Sequence, residues 1–395
     1  MEKVLMGKHS FFTKAVHAGE DRDANFGAVS VPIYPSSVFA FADAEEGIAI
    51  HNYEKPGYFY GRLGNPTVEA LERTIAELEQ GEDALAFASG MAAISAAVFT
   101  LVGSGDHVVA PVSMYSTTTN FLNQVSEQFG IETTFVDAAN AEAYTAAIRP
   151  NTKMFWVETP SNPLLRITDI AEVAAAGRCA GIATVVDNTF ATPFNQLPLT
   201  LGADLVVHSA TKYLGGHSDL TAGLLVGRKD LIENARHGPA KLYGGNIAPQ
   251  VAWLVLRGIK TLALRMERHN SNAFAFAHTI ALHPKVAAVR YPGLETHGNH
   301  EIAKRQMSGF GGMVGVDVGS AEAAKKLVNN LKVCTFGTSL GGVETLVQPV
   351  ALMTHASLAV EERARAGISD GLLRVSIGVE HIDDISQDIY DALGS

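Results

Sequence analysis

The sequence has 395 residues but only two cysteines, Cys179 and Cys334. Two thiols in so long a chain argue against a disulfide framework, and they cannot build a four-cysteine zinc site. The sequence also lacks any apolar run of about 18 residues without a charge or a turn residue, the length that a membrane-spanning helix needs. The first residues lack the long apolar core of a signal peptide. We therefore expect a soluble protein of the reducing cytoplasm.

Positive charge is in deficit. Thirty lysines and arginines face 41 aspartates and glutamates, which gives a formal net charge of −11. This balance argues against nucleic acid or an anionic membrane as a partner of the whole chain, although local donors can still hold a small anion. Hydrophobic residues make up 47% and charged residues 18% of the chain, a globular composition rather than a disordered one. The length predicts two or three domains, or one large domain with a smaller companion.

Between about residues 65 and 255, short apolar runs alternate with longer segments of helical period. The predicted strands are residues 84–88, 107–110, 133–136, 154–157, 183–186, 205–208 and 223–226. The predicted helices include residues 67–78, 92–100, 117–129 and 169–176. This alternation predicts an α/β fold with a mostly parallel, seven-stranded sheet that carries helices on both faces. Functional residues are then expected at the carboxyl ends of the strands.

The two ends of the chain differ from this central region. Residues 1–60 are rich in aromatic residues, proline and glycine, and they predict an arm that packs against a neighbouring subunit. Beyond residue 257 we expect a smaller α+β domain, with one long helix over 259–283 and strands near 286–291, 313–318 and 374–377. The predicted division is therefore an arm over 1–60, a central domain over 61–257 and a C-terminal domain over 258–395.

Lys212 follows the predicted strand 205–208, with Ser209 and Thr211 close by. A strand-end amine beside two hydroxyls suits an aldehyde cofactor with a phosphate tail, because the amine condenses with the aldehyde while the hydroxyls donate hydrogen bonds to the phosphate. A lysine on the surface after a loop is the alternative.

Asp187 ends the strand before, 183–186. A carboxylate at a buried strand end needs a cation or a strong donor, and the protonated ring nitrogen of pyridoxal phosphate (PLP) is such a partner. A carboxylate there keeps that ring able to accept electrons. Capping of the following turn is the alternative explanation.

Two further strand ends complete the pattern. Gly90 and Met91 open a helical segment after the first strand, where backbone N–H groups can bind phosphate. Tyr115 follows the second strand and can stack on a flat cofactor. Either feature alone is common in proteins of other kinds. Together with Asp187 and Lys212, they occur in the order expected for a PLP enzyme of the aspartate-aminotransferase fold type (type I).

Several long motifs resemble one family. They are YFYGRLGNPT at 58–67, VVDNTFATP at 185–193, LGAD at 201–204, HSATKYLGGH at 208–217, SLGGVET at 339–345 and LLRVSIGVE at 372–380. Over nearly its whole length the chain is similar to the Cys/Met-metabolism (trans-sulfuration) family of PLP-dependent enzymes. The resemblance implies an aspartate-aminotransferase-like fold, PLP bound by residues 61–257, and a C-terminal domain that binds the substrate carboxylate.

The resemblance also implies roles for individual residues. Lys212 would bind the PLP aldehyde and move substrate protons, Asp187 would contact the ring nitrogen, and Tyr115 would stack and protonate the leaving sulfur. The phosphate would be held by Gly90, Met91, Ser209 and Thr211, and by Tyr60 and Arg62 reaching across a dimer interface. The substrate would be bound by Arg374, Ser339, Asn162, Tyr60 and Thr338, with Arg374 gripping its α-carboxylate and Asn162 also near the cofactor. A homodimer with shared active sites, usually paired into a tetramer, follows.

The family catalyses both γ-elimination, which releases 2-oxobutyrate, ammonia and a thiol from a sulfur amino acid, and γ-replacement, in which a thiol adds. Residues 258–262 and 265–269 most resemble methionine γ-lyases, yet Thr117 stands where those enzymes carry a reactive cysteine, and Leu242 where they carry an aspartate. Thr338 stands where cystathionine-processing members carry a glutamate. Thr338 cannot supply the negative charge with which that glutamate would meet the distal amino group of cystathionine. A long dipolar substrate is therefore disfavoured, and we expect a methionine γ-lyase-like activity. Cystathionine γ-lyase, cystathionine γ-synthase and O-acyl-homoserine sulfhydrylase activities stay open.

Functions of other classes are also compatible with parts of the sequence. The segment GTSLG at 337–341 matches the nucleophile elbow of serine hydrolases, with Asp370 and His381 downstream, but Gly341 and Gly342 are poor residues for the helix that must follow. A non-catalytic cofactor-binding protein is a third possibility. His297 and His300 have no third ligand in their loop, so we expect no metal site.

Overall fold

The structure is a computed structural model that describes residues 8–21, 23, 26–137, 139–353, 363 and 367–394. Its larger sheet contains seven strands: β1 (Asp83–Phe87), β2 (His107–Pro111), β3 (Glu132–Val136), β4 (Thr152–Glu158), β5 (Ala183–Asp187), β6 (Leu205–Ser209) and β7 (Gly223–Gly227). Their order is β1-β7-β6-β5-β4-β2-β3, and β7 alone runs antiparallel to its neighbours. All seven predicted strands and the mostly parallel α/β fold are confirmed.

Helices cover both faces of this sheet, as β4 illustrates. Met154 and Trp156 pack into one apolar cluster, whereas the alternating residues Phe155 and Val157 pack into another. Side chains of successive strand residues point to opposite faces, so the continuous apolar run 154–157 of β4 is buried on both sides of the sheet.

The helices are α1 (Phe11–His17), α2 (Ala44–His51), α3 (Pro66–Glu79), α4 (Gly90–Leu101), α5 (Ser116–Phe129), α6 (Ala141–Ala146), α7 (Ile170–Ala180), α8 (Thr192–Asn195), α9 (Lys229–Ala235), α10 (Lys241–Tyr243), α11 (Pro249–Ile259), α12 (Leu262–Ile280), α13 (His300–Gln306), α14 (Ala321–Asn330) and α15 (Ile382–Leu393). Capping side chains define where several begin: Asn65 accepts from Thr67 N–H at 2.9 Å, and Asp169 accepts from Glu172 N–H at 3.1 Å. The four predicted helices of the central region are α3, α4, α5 and α7.

The C-terminal part of the chain forms a second sheet. Its strands are β8 (Ala288–Arg290), β9 (Met313–Asp317), β10 (Thr335–Phe336), β11 (Leu346–Pro349) and β12 (Leu372–Ser376), in the order β10-β11-β12-β9-β8. The sequence predicted β8, β9 and β12. It did not predict β10 and β11, which have two and four residues and flank the glycine-containing segment 337–345.

The long helix predicted over 259–283 is wrong in its boundaries. The chain instead forms α11 and α12, separated by Lys260 and Thr261. The buried guanidinium of Arg265 explains the break, because its Nη2 donates to Gly258 O at 2.7 Å and its Nη1 to Tyr213 O at 2.6 Å. A carbonyl at the end of α11 is thereby satisfied without a continuing helix, and the loop after Lys212 is tied to α12.

In the described part of the chain, no helix has the length and apolar character that crossing a membrane requires.

Candidate active site

A cavity of about 370 Å³ lies at the carboxyl ends of the strands of the larger sheet. Parallel strands end at one edge of a sheet, which is why residues from five strand ends meet there. Its lining includes all of the predicted site residues except Tyr60 and Arg62: Gly90, Met91, Tyr115, Asn162, Asp187, Ser209, Thr211, Lys212, Thr338, Ser339 and Arg374.

Lys212 extends from the end of β6 into this cavity. Its Nζ donates a hydrogen bond to Ser339 Oγ at 2.6 Å. Burial, with a smaller contribution from the nearby Arg374 cation, lowers the pKa of Lys212 from 10.5 to about 8. At neutral pH a much larger fraction of this amine is therefore unprotonated than in an ordinary lysine, and the unprotonated amine is the form that attacks a carbonyl carbon.

The start of α4 forms one wall. Ser89 caps the helix by accepting from Ala92 N–H at 3.2 Å. The N–H groups of Gly90 and Met91 lie in the first turn, where no helical acceptor exists. A side chain on Gly90 would bring a Cβ to 2.9 Å from Ser209 Cβ. Glycine thus lets the helix start approach β6, so that two backbone N–H groups and the Ser209 and Thr211 hydroxyls line one end of the cavity.

Asp187 lies at the end of β5 and is 7% exposed. Its Oδ1 accepts from Thr189 N–H at 3.0 Å, and within the described residues no lysine or arginine forms an ion pair with it. Burial raises the pKa of this carboxyl. A ligand that offers a positive or strongly donating group would stabilise the ionised form.

Glu158, at the end of β4, ties two lining residues together. Its Oε2 accepts from Tyr115 N–H at 2.8 Å and its Oε1 from Asn162 N–H at 2.9 Å. Burial, and then the nearby Asp187 carboxyl, raise the pKa of Glu158 well above its usual range. The sequence placed Glu158 at a strand end but did not assign it to the site.

Arg374, on β12, is buried and held by neutral oxygens alone. Its Nη1 donates to Asn162 Oδ1 at 3.1 Å, and its Nη2 donates to Ser339 O at 2.9 Å and Gln348 Oε1 at 2.7 Å. Burial lowers the pKa of Arg374 to about 10, so it remains a cation at neutral pH. No carboxylate of the described residues forms an ion pair with it. An unpaired buried cation that lines a cavity is suited to an anionic ligand.

Ser339 and Thr338 lie between β10 and β11. No helix begins at Ser339, its hydroxyl accepts from Lys212, and no histidine of the described residues forms a hydrogen bond with that hydroxyl. The serine-hydrolase interpretation of this segment therefore has no support in the structure.

Tyr60 and Arg62 lie outside the cavity of their own chain. The guanidinium carbon of Arg62 is 5.6 Å from the centre of the Tyr60 ring, and Arg62 donates to Lys241 O. The sequence analysis did not assign eight of the lining residues to the site. They are Glu158, Gln348 on the unpredicted β11, and Ser89, Ile94, Thr189, Phe190, Thr221 and Leu340.

The low pKa of Lys212 predicts how its amine reacts in protein freed of cofactor. Reductive methylation of Lys212, followed peptide by peptide with mass spectrometry, should rise with pH through a midpoint of about 8, since burial disfavours the ammonium form. The Arg374→Met variant should shift this midpoint upwards, because the Arg374 charge also lowers the pKa. A wild-type midpoint near the ordinary value of 10.5 would contradict the burial of this amine.

Comparison with known proteins agrees with this geometry. The family model described as Cys/Met metabolism PLP-dependent enzyme matches residues 12–394. An L-methionine gamma-lyase of Fusobacterium nucleatum is 46% identical over 391 residues, covering 98% of this chain and 99% of that protein. A cystathionine gamma-lyase of Bacillus subtilis is 48% identical over 381 residues, covering 96% of this chain and 98% of that protein.

A solved structure extends the match to three dimensions. The cystathionine gamma-lyase from Lactobacillus plantarum, complexed with L-serine, superposes with a TM-score of 0.91 at 41% identity and covers 98% of this chain and 99% of that one. The chain therefore belongs to the Cys/Met metabolism family of PLP-dependent enzymes, and it is a carbon–sulfur lyase whose cofactor is pyridoxal 5'-phosphate.

Proposed function

We propose that the protein catalyses γ-elimination on methionine or a similarly short, uncharged thioether amino acid, giving 2-oxobutyrate, ammonia and a thiol. One observation carries this choice of substrate. Among the described residues that line the cavity, the only charged side chains are Glu158, Asp187, Lys212 and Arg374. The cofactor accounts for Asp187 and Lys212 and the substrate α-carboxylate for Arg374, as argued below, while Glu158 accepts from two backbone N–H groups. None of these four side chains is left for a charged distal group.

The cavity residues fit the cofactor. The first-turn N–H groups of Gly90 and Met91, with the hydroxyls of Ser209 and Thr211, offer a phosphate several donors in the space that Gly90 leaves beside Ser209. Asp187 offers its buried carboxyl to the ring nitrogen, and Tyr115 offers an aromatic face at the mouth of the cavity, where it is 40% exposed.

The chemistry divides between the cofactor and the chain. Bound PLP supplies an electron sink for a carbanion at the substrate α-carbon. Lys212 would hold the cofactor through its aldehyde and, once released by the substrate amine, would take the proton from the α-carbon; its lowered pKa suits both tasks. Asp187 would keep a proton on the ring nitrogen, and the Tyr115 hydroxyl would donate a proton to the departing sulfur.

Arg374 binds the substrate α-carboxylate. Its guanidinium is already oriented by Asn162 Oδ1 and Ser339 O, so little side-chain entropy is lost when the ligand arrives. The Ser339 hydroxyl lies beside Lys212 Nζ and can donate to the same carboxylate once the amine has moved. The lining also includes Thr338, Ile94, Phe190, Thr221 and Leu340, which are all uncharged. Of these, Thr338 is the residue that would meet the distal end of the substrate.

Processing of cystathionine is the second candidate function, because the relatives include a cystathionine gamma-lyase at 48% identity. Cystathionine carries a second ammonium and a second carboxylate at its distal end. A pocket that offers those charges no partner leaves them desolvated, which disfavours this substrate.

A product assay tests the assignment. Purified holoenzyme is incubated with methionine, homocysteine, cystathionine and O-acetylhomoserine, with and without added thiol. Both 2-oxobutyrate, the product of elimination, and the new sulfur amino acid formed by γ-replacement are measured. Methionine should release 2-oxobutyrate without thiol, with a kcat/KM about 10-fold or more above that for cystathionine. Product only from cystathionine, or only from O-acetylhomoserine plus a thiol, would reject the proposal.

Two variants at Thr338 provide a matched pair within this assay. Thr338→Glu adds a carboxylate for the distal ammonium of cystathionine and should raise the ratio of cystathionine to methionine turnover. Thr338→Gln has a similar size and no charge, so it should leave that ratio near the wild-type value. An equal effect of both variants would show that side-chain size, not charge, sets the preference.

We also propose a homodimer, paired into a tetramer, in which Tyr60 and Arg62 reach the phosphate and the substrate in the neighbouring subunit. Both residues lie outside their own chain's cavity. The arm 1–60 exposes apolar side chains, with Phe26 94% and Val29 97% exposed.

Residues 61–257 then form the PLP-binding domain and 258–395 the domain that binds the substrate carboxylate. Both cysteines are free, which supports a reducing, cytoplasmic location.

Subunit complementation tests the shared site. Lys212→Ala and Arg62→Ala, each inactive or nearly so alone, are unfolded together and refolded as a mixture. If sites are shared, about a quarter of wild-type activity should return, because half of the dimers are mixed and each has one site with neither substitution. Separate refolding of each variant is the control, and no gain on mixing would place Arg62 in its own subunit's site.

A further inference from the structure

Gln348 lies directly beside the carboxylate-binding arginine. The register of β11 and β12 places Gln348 opposite Arg374, so the two side chains share one face of the smaller sheet. Gln348 is 2% exposed and lines the cavity. Strand pairing alone therefore brings a buried amide into contact with the guanidinium.

The chemistry of arginine fixes the orientation of this amide. A guanidinium has donors only, so the atom of Gln348 that faces Arg374 Nη2 at 2.7 Å must be the oxygen Oε1. The amide nitrogen Nε2 is then turned away, and it has no hydrogen-bond partner within the described part of the chain. A buried donor without an acceptor is costly, so this position is not explained by the stability of the fold.

The neutrality of Gln348 matters because of what surrounds Arg374. The other two contacts of the guanidinium, Asn162 Oδ1 and Ser339 O, are also uncharged oxygens. Glu158, the carboxyl that acts on Arg374 electrostatically, is occupied by two backbone N–H groups. By contrast, Arg236 elsewhere in the chain is held by the carboxylates of Glu72 and Asp83. Arg374 is held in position while its charge is left uncompensated.

We propose that Gln348 is a positioning residue that holds the Arg374 guanidinium with a neutral acceptor and so keeps its full charge available for the α-carboxylate of the ligand. The proposal rests on the proposed function in taking an amino acid as the ligand. A carboxylate at position 348 would have nearly the same shape, but it would pair with Arg374 and repel the incoming carboxylate. Position 348 therefore determines whether the site accepts an anion.

Binding of a ligand that cannot undergo elimination tests this role. Norleucine has the shape of methionine without the sulfur, and norleucinamide lacks the α-carboxylate. Both are titrated into holoenzyme by calorimetry. Gln348→Glu should weaken norleucine binding about 100-fold, since the buried cation is then paired within the protein. The affinity for norleucinamide should fall about 3-fold or less, since norleucinamide presents no negative charge to the introduced carboxylate.

Kinetics and a neutral variant separate this role from a structural one. In Gln348→Glu the KM for the best amino-acid substrate should rise, whereas kcat at saturating substrate should be reduced far less. Gln348→Met keeps the length without an acceptor or a charge. Gln348→Met should weaken norleucine binding about 10-fold, which is the effect of losing one hydrogen bond to a charged group. The preference for norleucine over norleucinamide should persist in this variant.

Gln196→Glu is the matched control. Gln196 is also 2% exposed, but its amide contacts Thr159 O and Asn188 Oδ1, away from the cavity. This variant should lose stability and keep the wild-type preference for the carboxylate ligand.

An unchanged norleucine preference in Gln348→Glu, or the same loss of preference in Gln348→Met, would overturn the proposal. If methionine is not a substrate, the same comparison is made with the acid and amide of whichever substrate is active, so the two proposals fail separately.

Discussion

The active site depends on four ionisable groups that share one cavity without neutralising one another. Lys212, Arg374, Asp187 and Glu158 all line it, and within the described residues no salt bridge joins any two of them. Burying a charge without a partner is expensive, so such an arrangement persists only when a ligand completes it. In the proposed function, the cofactor and the substrate would supply the missing partners: a ring nitrogen for Asp187, an aldehyde for Lys212 and a carboxylate for Arg374. Glu158 remains as the internal support, because it accepts the N–H groups of both Tyr115 and Asn162.

The two sheets divide this work. The larger sheet brings the ends of β4, β5 and β6 to one edge, where Glu158, Asp187 and Lys212 meet, and the capped start of α4 closes that edge with backbone donors. The smaller sheet contributes Arg374 and Gln348 from paired strands. Asn162 and Ser339 join the two halves, since Asn162 accepts from Arg374 while Ser339 contacts both Arg374 and Lys212. In the proposed function, the same few contacts between the sheets would set both substrate orientation and proton transfer.

Much of this could be predicted from local sequence. Strands of alternating or continuous apolar character were found because their pattern depends only on near neighbours, and Asp187, Ser209 and Lys212 then followed as strand-end residues. The break between α11 and α12 could not be predicted, because it depends on Arg265 reaching Tyr213 O, a residue 52 positions away. Gln348 was not predicted because β11 has only four residues, and because its position beside Arg374 is set by the pairing of β11 with β12. The contact of Arg374 with Asn162 joins residues 212 positions apart, beyond any spacing rule.

The covalent attachment of the cofactor at Lys212 is the central claim, and hydride trapping tests it most directly. Holoenzyme is reduced with borohydride, which makes the carbon–nitrogen bond to the cofactor permanent, and is then digested and analysed by mass spectrometry. The cofactor-derived mass should appear on the peptide that contains Lys212 and on no other lysine. Its appearance on a different lysine, or its absence from every peptide of a catalytically active sample, would contradict the account of this site.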